Sequence, residues 1–215
     1  MLMQKSGEQQ NSNRRERRMN RRRAEILQVA ARMFAELGYE RTTFEMIADE
    51  LGLSKPSLYY YITSKEDVLA QLLEEVIQGI EERVNAEISP LMRPDERLRR
   101  LVIAHISRIC VYPQGRVLVL YDDHLLAERK TEILSMRERY QRLVQSIITE
   151  GAECGLFCIS DPKMATLTLL GAMNWVAHWY SPRGSLSPRQ IGEHYARILV
   201  GGLIHPFEGE GGPEC

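Results

Sequence analysis

The sequence has none of the long apolar runs that carry a chain into or across a membrane. Residues 1–18 (MLMQKSGEQQNSNRRERR) contain no apolar core of a signal peptide, so we expect none. Residues 164–180 lack Asp, Glu, Lys and Arg, but these 17 residues include Thr, Asn and His. A segment of that length and composition is typical of a buried helix and not of a membrane span. We therefore expect a cytoplasmic protein without a membrane partner.

Motifs for metal binding and catalysis are also missing. The chain has four cysteines, and Cys154 and Cys158 lie one helical turn apart without the second pair that a zinc site needs. The five histidines lack ligand spacing, and there is no nucleophile elbow or phosphate-binding loop. The sequence therefore predicts reduced thiols, no metal and no cofactor, and it argues against an enzyme.

Charge is distributed unevenly along the chain. Residues 1–66 carry 12 Lys/Arg and 9 Asp/Glu, whereas residues 67–215 carry 16 and 20. Residues 14–23 alone contain seven arginines and one acid. A basic front on an acidic body indicates a region that binds a polyanion, followed by a region with another task.

Apolar residues recur with helical spacing almost throughout, and strand signals are scarce. We therefore predict an all-α protein of about nine helices, with a disordered basic arm over 1–20 and a flexible tail over 207–215. The predicted helices span about 21–37, 44–51, 55–62, 65–88, 95–111, 114–126, 129–154, 162–180 and 187–204. The first three, with Gly52 in the turn between the second and third, have the outline of a helix-turn-helix.

The third predicted helix carries the sequence KPSLYYYI, and three adjacent tyrosines cannot all face one core. At 100° per residue, Leu58 and Ile62 define the buried side and Tyr60 lies opposite. Small residues at the start of such a helix, with aromatic hydroxyls behind them, suit entry into a DNA major groove. The simpler alternative is that the tyrosines are only the solvent face of an amphipathic helix.

The stretch TTFEMIADELGLSKPSLYYYITSKEDVL resembles the N-terminal helix-turn-helix of the TetR family of bacterial transcriptional regulators. The family pattern is matched by Thr43, by the pair Ile47-Ala48, by the turn 52–54, by Leu58-Tyr59 and by the closing residues 64–66. One departure is Ile62, where the family usually has Phe; it stays apolar, so core packing is little affected.

The resemblance implies a DNA-binding domain over 21–66 and a palindromic double-stranded DNA operator. It also implies that the protein is a repressor. The arginine run 14–23 adds phosphate or minor-groove contacts in one interpretation and is a solvated tail in the other. The expected DNA surface consists of Thr43, Lys55, Pro56, Ser57, Tyr59, Tyr60, Tyr61 and Lys65.

Families of this type follow the DNA-binding module with a helical domain for ligand binding and dimerisation, here over 67–206. Helix 162–180 is apolar around most of its circumference, so it must be buried on more than one side. We expect helices 162–180 and 187–204 to pack against their symmetry mates as a four-helix homodimer interface.

The effector is expected to be a small hydrophobic molecule bound among the middle helices. The stretch NWVAHWYSPRGSLSPRQIGEHYARILVGGL resembles TetR-type regulators of fatty-acid and steroid degradation, which implies an acyl-CoA thioester. An aromatic or drug-like effector is one alternative, and a DNA-binding protein without an effector is the other. The candidate effector residues are His105, Arg108, Tyr112, Arg116, Tyr121, His124, Trp175 and His178.

Overall fold

The structure, a computed structural model, describes residues 2–111 and 124–204, with side chains from Arg14 to Cys110 and from His124 onward. Within these residues the chain forms eight α-helices and no strand, which confirms the all-α prediction. The helices are α1 (Leu2–Leu37), α2 (Phe44–Glu50), α3 (Lys55–Tyr59), α4 (Lys65–Glu87), α5 (Pro94–Val111), α6 (Ala127–Glu153), α7 (Pro162–Trp179) and α8 (Pro188–Ile204).

The C-terminal half of α1 packs with α2, α3 and the start of α4 around a small apolar core. Ile26, Phe34, Ile47, Leu58 and Ile62 are almost completely buried there. These residues come from all three predicted short helices and from the turn that follows them. The core therefore fixes the angle between α2 and α3.

Two tight turns separate the short helices, and both use glycine in the left-handed region. Gly38 follows α1 with φ of 91°, and Gly52 lies between α2 and α3 with φ of 61°. A side chain at either position would be strained, because residues with a Cβ rarely adopt these angles. The predicted helix-turn-helix is confirmed.

Helix α4 is long and belongs to both halves of the chain. Its buried residues Val68, Leu72, Val76, Ile80 and Val84 recur every four positions and form one continuous stripe. At 1.5 Å per residue its 23 residues span about 34 Å. It packs against α1 at one end and against α5 and α6 farther along.

Helix α5 is the centre of the C-terminal half and packs against α4, α6, α7 and α8. Leu98, Leu101 and Ile106 are fully buried on it. The closest approach is to α8: a Cβ built on Gly192 would lie only 2.9 Å from the Cα of Ile103. Glycine at this position lets the two helix backbones come together.

The N-terminal arm corrects one prediction. Residues 1–20 were expected to be disordered, but α1 is already helical from Leu2 and runs without a break to Leu37. The segment contains no proline and is rich in Gln, Glu, Lys and Arg, which are good helix formers. The helix propensity of these residues therefore extends α1 toward the N-terminus, beyond the segment whose apolar residues are buried.

Other boundaries differ less. Helix α3 ends at Tyr59 and not near Ile62, although the N–H of Ile62 still donates to the carbonyl of Leu58. The predicted helix 114–126 and the tail 207–215 fall largely or wholly outside the described residues. Cys110 and Cys154 have free thiols as expected, whereas that expectation is wrong for Cys158, which is disulfide-bonded. In the described parts of the chain, no helix is long and apolar enough to cross a membrane.

Replacing Gly192 by Ala should lower the free energy of unfolding by about 1–2 kcal/mol. Over-packing costs about 1–3 kcal/mol, which exceeds the gain of up to ~1 kcal/mol in helix propensity. Urea unfolding followed by circular dichroism measures the change. Glu193→Ala is the control, because it removes only an exposed ion pair with Arg189. A Gly192→Ala variant more stable than the parent would contradict the close helix contact.

Candidate DNA-binding surface and effector cavity

The N-termini of α2 and α3 are each fixed by a hydroxyl side chain. Thr43 is the N-cap of α2, and its Oγ1 accepts a hydrogen bond of 3.3 Å from the N–H of Met46. Ser54 caps α3 by accepting from the N–H of Ser57, and the two hydroxyls lie 2.8 Å apart. Both caps are exposed, so the helix ends point their remaining N–H groups toward solvent, where an anion is favoured.

The start of α3 presents small and charged side chains. Pro56 occupies the first turn, where its missing N–H costs nothing, and it is exposed. Ser57 is half-buried beside its cap. Lys55 is exposed and forms an ion pair with Glu45 of α2. Exposed pairs of this kind contribute little to stability, so Lys55 can exchange its partner at low cost.

The three tyrosines have three different environments. Tyr60 is 58% exposed. Tyr59 is 46% exposed, but its ring stacks on Phe44 with centroids 5.1 Å apart. Tyr61 is half-buried and makes an edge contact of 5.2 Å with Tyr60. Of the three tyrosines, Tyr60 is thus the most exposed and Tyr61 the least.

Lys65 has a role that the sequence interpretation missed. Its ammonium donates to the carbonyl oxygens of Tyr39 (3.0 Å) and Thr42 (3.3 Å). It also lies 4.1 Å from the centroid of the Tyr39 ring, a cation–π distance. Lys65 therefore ties the start of α4 to the connection between α1 and α2. Nothing in the local sequence could have indicated these partners, which lie more than twenty residues away.

The arginine run lies on α1 ahead of the small core. Arg22 is half-buried: it donates to the carbonyl of Leu51 (3.2 Å) and to Glu25 (2.6 Å), so it attaches α1 to the end of α2. Arg14, Arg15 and Arg17 are exposed. Part of the run is thus structural, and the rest presents positive charge at the side of the domain.

A cavity of about 360 Å³ lies in the C-terminal half, between α4, α5, α6 and α7. Four of its lining residues are apolar aliphatics, and one is a glycine. Leu167 and Gly171 are exposed and mark its opening to solvent. The lining residues are Ile77, Ile80, His105, Arg137, Tyr140, Gln141, Leu167, Leu170, Gly171 and Asn174.

A chain of three polar side chains crosses the cavity wall. Nδ1 of His105 lies 2.8 Å from the hydroxyl of Tyr140, and Nε2 lies 3.2 Å from Oδ1 of Asn174. Burial lowers the pKa of His105 to about 4, so the imidazole is neutral at pH 7. Burial also raises the pKa of Tyr140, whose hydroxyl keeps its proton. The three groups are uncharged and held in fixed positions.

Of the five predicted effector residues that the structure describes, only His105 lines this cavity. Arg108 packs across Gly79 of α4, where a Cβ would lie 2.3 Å from its guanidinium. Burial raises the pKa of Glu75, and the charge of Arg108 opposes that rise. Arg108 therefore belongs to the α4–α5 contact. Tyr112, Arg116 and Tyr121 lie outside the described residues.

The other three candidates are elsewhere. His124 stacks on Tyr39 at 4.6 Å and lies 3.3 Å from Glu40, so it contacts the DNA-binding half. Trp175 is 60% exposed and stacks on His178 at 4.1 Å, away from the cavity lining. Sequence reasoning missed Tyr140 and Asn174. The available signal for Asn174 was a polar residue within an otherwise apolar helix.

The outer side of α7 and α8 carries unusually large exposed apolar side chains. Trp175, Trp179 and Met164 are all about half exposed or more on α7, and Ile198 on α8 is 70% exposed. Gly201 and Gly202 adjoin Ile198 with open space beside them. This face, defined by these residues, is called the outer apolar face below.

Two sequence profiles match the chain. Residues 26–72 match the profile described as bacterial regulatory proteins, tetR family, and residues 91–203 match that of the tetracyclin repressor-like C-terminal domain. The chain belongs to the TetR family. The first profile covers the helix-turn-helix, and the second covers α5, α6 and α7, three of the four helices around the cavity.

Relatives of known name agree with this assignment. The transcriptional repressor KstR2 of Mycobacterium tuberculosis is 30% identical over 189 residues, which cover 86% of this chain and 94% of KstR2. The fatty acid metabolism regulator protein of Bacillus subtilis is 26% identical, covering 83% of this chain and 94% of the regulator.

A solved structure related to this TetR chain contains both a small-molecule ligand and operator DNA. AibR in complex with isovaleryl coenzyme A and operator DNA superposes with a TM-score of 0.74 at 27% identity, covering 86% of this chain and all of AibR. The family consists of transcriptional regulators and not of enzymes. This TetR protein is therefore a DNA-binding transcriptional regulator, as the sequence predicted.

Replacing Lys65 by Met should lower the free energy of unfolding by about 1–3 kcal/mol, because two carbonyl groups lose a charged donor. Tyr60→Ala, at an exposed position, should change it by less than about 0.5 kcal/mol. Urea unfolding of both variants provides the comparison. Equal stabilities for the two would contradict the tie made by Lys65.

Proposed function

We propose that this TetR protein is a homodimeric repressor that leaves a palindromic operator when an acyl-CoA thioester fills the cavity. The observation that carries the proposal is the cavity among α4 to α7, which occurs in a chain similar to a regulator solved with an acyl-CoA and operator DNA. A regulator of this kind acts where the bacterial chromosome lies, so we place it in the cytoplasm.

The proposed DNA surface is the outward side of the caps, α3 and its tyrosines. Small residues at the start of α3 let the backbone approach base edges, and Tyr60 reaches past them. Lys55 gives up its exposed partner to reach a guanine or a phosphate. Residues 14–23 add phosphate contacts from α1. Lys65 holds the domain together through its contacts with two carbonyl groups. In this proposal its ammonium also contacts a phosphate.

The outer apolar face supports dimerisation through α7 and α8. Large exposed apolar side chains on adjacent helices are costly in water and typical of a protein interface. Small residues beside Ile198 allow a partner helix to approach closely. A two-fold dimer bound to a palindromic operator presents its two α3 helices about one DNA turn, roughly 34 Å, apart. We also propose the division into a DNA-binding domain, 21–66, and an effector-binding and dimerisation domain, 67–206.

The cavity supports an effector with an apolar portion. Its volume lies in the range of small-molecule sites, about 300–1,000 Å³. Ile77, Ile80 and Leu170 suit an acyl chain, and the opening beside Gly171 leaves room for a bulky polar group outside. The name of the fatty acid regulator and the isovaleryl coenzyme A bound to AibR support an acyl-CoA thioester. An aromatic or drug-like effector is the second candidate, favoured by the polar groups in the wall.

Acyl-CoA thioesters of graded chain length should raise the melting temperature, whereas CoA alone should not. At a concentration one hundred times Kd, the stabilisation is about 2.7 kcal/mol, or roughly 5–10 °C for a chain of this size. The same thioester should release an operator selected from random duplexes, as measured by fluorescence anisotropy.

Gly171→Phe narrows the opening and should weaken this response at least about tenfold while operator binding is kept. Lys163→Phe, exposed on the same helix but not in the lining, is the matched control. Stabilisation by aromatic compounds alone, without any thioester, would favour the second candidate.

Replacing Ile198 by Asp should convert the dimer into a monomer at micromolar concentration, because a charge would be buried in an apolar interface. Analytical ultracentrifugation measures the mass, and operator affinity should fall with it. Leu91→Asp is the control, since Leu91 is 96% exposed in the loop before α5. A dimeric Ile198→Asp variant would rule out the outer apolar face.

A further inference from the structure

Tyr140, His105 and Asn174 form a row of hydrogen-bonded side chains, the polar chain, and the residue at each end of it can form a further hydrogen bond. A neutral imidazole has one N–H and one acceptor nitrogen. Because Oδ1 of Asn174 can only accept, Nε2 of His105 carries the hydrogen and Nδ1 accepts from the hydroxyl of Tyr140. His105 is thereby saturated.

Asn174 and Tyr140, the two outer residues of the polar chain, can each form a further hydrogen bond. Among the described residues, no hydrogen bond from the Asn174 amide nitrogen to protein is recorded, and the Tyr140 oxygen has lone pairs to spare. One end of the chain therefore offers a donor and the other an acceptor. Rotating the Asn174 amide by 180° reverses the direction of the chain, but it still leaves one donor and one acceptor.

Both outer residues line the cavity, whose lining also includes four aliphatic side chains and the polar side chains of Arg137 and Gln141. Tyr140 is buried and Asn174 is half-buried, so a ligand that fills the cavity removes water from both. A plain hydrocarbon would leave these groups without partners, and an unpaired buried polar group is costly. A ligand oxygen at the same place restores their hydrogen bonds. Sites built in this way discriminate strongly against ligands that lack the polar group.

We infer that the effector carries a hydroxyl or carbonyl oxygen on its apolar portion, and that Asn174 and Tyr140 bind this oxygen. A hydroxyl both donates and accepts, so it satisfies both ends of the polar chain, whereas a carbonyl satisfies the donor. The preferred class is thus an oxygenated acyl chain or ring and not a plain fatty acyl group. This inference rests on the proposed acyl-CoA function and defines the acyl group that the site selects.

The test compares thioesters that share a carbon skeleton. Decanoyl-CoA is measured against its hydroxy and oxo positional isomers, and cyclohexanecarbonyl-CoA against its 4-hydroxy derivative, by titration calorimetry on the full chain. At least one oxygenated compound should bind about tenfold or more tightly than its parent, a factor set by one to two hydrogen bonds.

Asn174→Leu and Tyr140→Phe should each reduce the ratio between the affinities for the oxygenated thioester and for its parent to near unity. Gln141→Leu is the matched control: it removes another amide of the lining that is outside the polar chain, and it should keep the preference. Thermal unfolding verifies that every variant is folded.

Equal binding of parent and oxygenated thioesters by the unmodified protein overturns this inference and leaves the proposed function intact. A preference that survives both Asn174→Leu and Tyr140→Phe also overturns it. If no thioester binds at all, the proposed function fails. The same pairs, offered as free acids, then decide the inference: a tenfold preference for the oxygenated acid supports it, and no preference or no binding overturns it.

Discussion

The continuity of α4 is the constraint on which the rest of the structure depends. Lys65 fixes its first turn to the connection between α1 and α2, and Ile77 and Ile80 on the same helix line the cavity. The distance from Lys65 to Ile77 along the axis is about 18 Å. In the proposed mechanism, a displacement of α4 at the cavity is transmitted to the DNA-binding surface, because packed helices tend to shift as rigid bodies. Arg108 packs against Gly79 of α4, which lies between Ile77 and Ile80, and so limits how α4 can move over α5.

That coupling is reciprocal. A ligand can change operator affinity only by the difference between its affinities for the two positions of α4. Operator DNA must then weaken ligand binding by the same factor. The hydrogen bonds of Lys65 matter here because they hold the start of α4 to the connection between α1 and α2. Without them, α4 could move without moving α3.

Much of the fold could be predicted from local signals in the sequence. The periodic apolar residues, the caps Thr43 and Ser54 and the turn at Gly52 act over a few residues, so the helix-turn-helix was readable. The length of α1 was not, because the boundary was placed where apolar periodicity begins, while good helix formers extend the helix to Leu2. The outward position of Tyr60 followed from the helical wheel alone.

The candidate effector site was mostly out of reach of such reasoning. His105 was proposed as one of several polar and aromatic residues of the middle helices, but its partners Tyr140 and Asn174 lie 35 and 69 residues away. Which of several His and Trp residues faces a cavity depends on how four helices pack, and no local pattern determines that. For the same reason Lys65 was interpreted as a phosphate contact, although it donates to two carbonyl groups across the domain.

Helix α7 has two working faces. One side contributes Leu167, Gly171 and Asn174 to the cavity, while Trp175 lies on the outer apolar face one residue away. In the proposed dimer, α7 thus forms part of the wall of each cavity and part of the interface between the subunits. A ligand in one cavity would then affect the empty cavity of the partner subunit, because a single layer of helices separates each cavity from the interface. Where that coupling is positive, the protein responds to its effector over a narrower range of concentration than two independent sites could give; where it is negative, the range is wider.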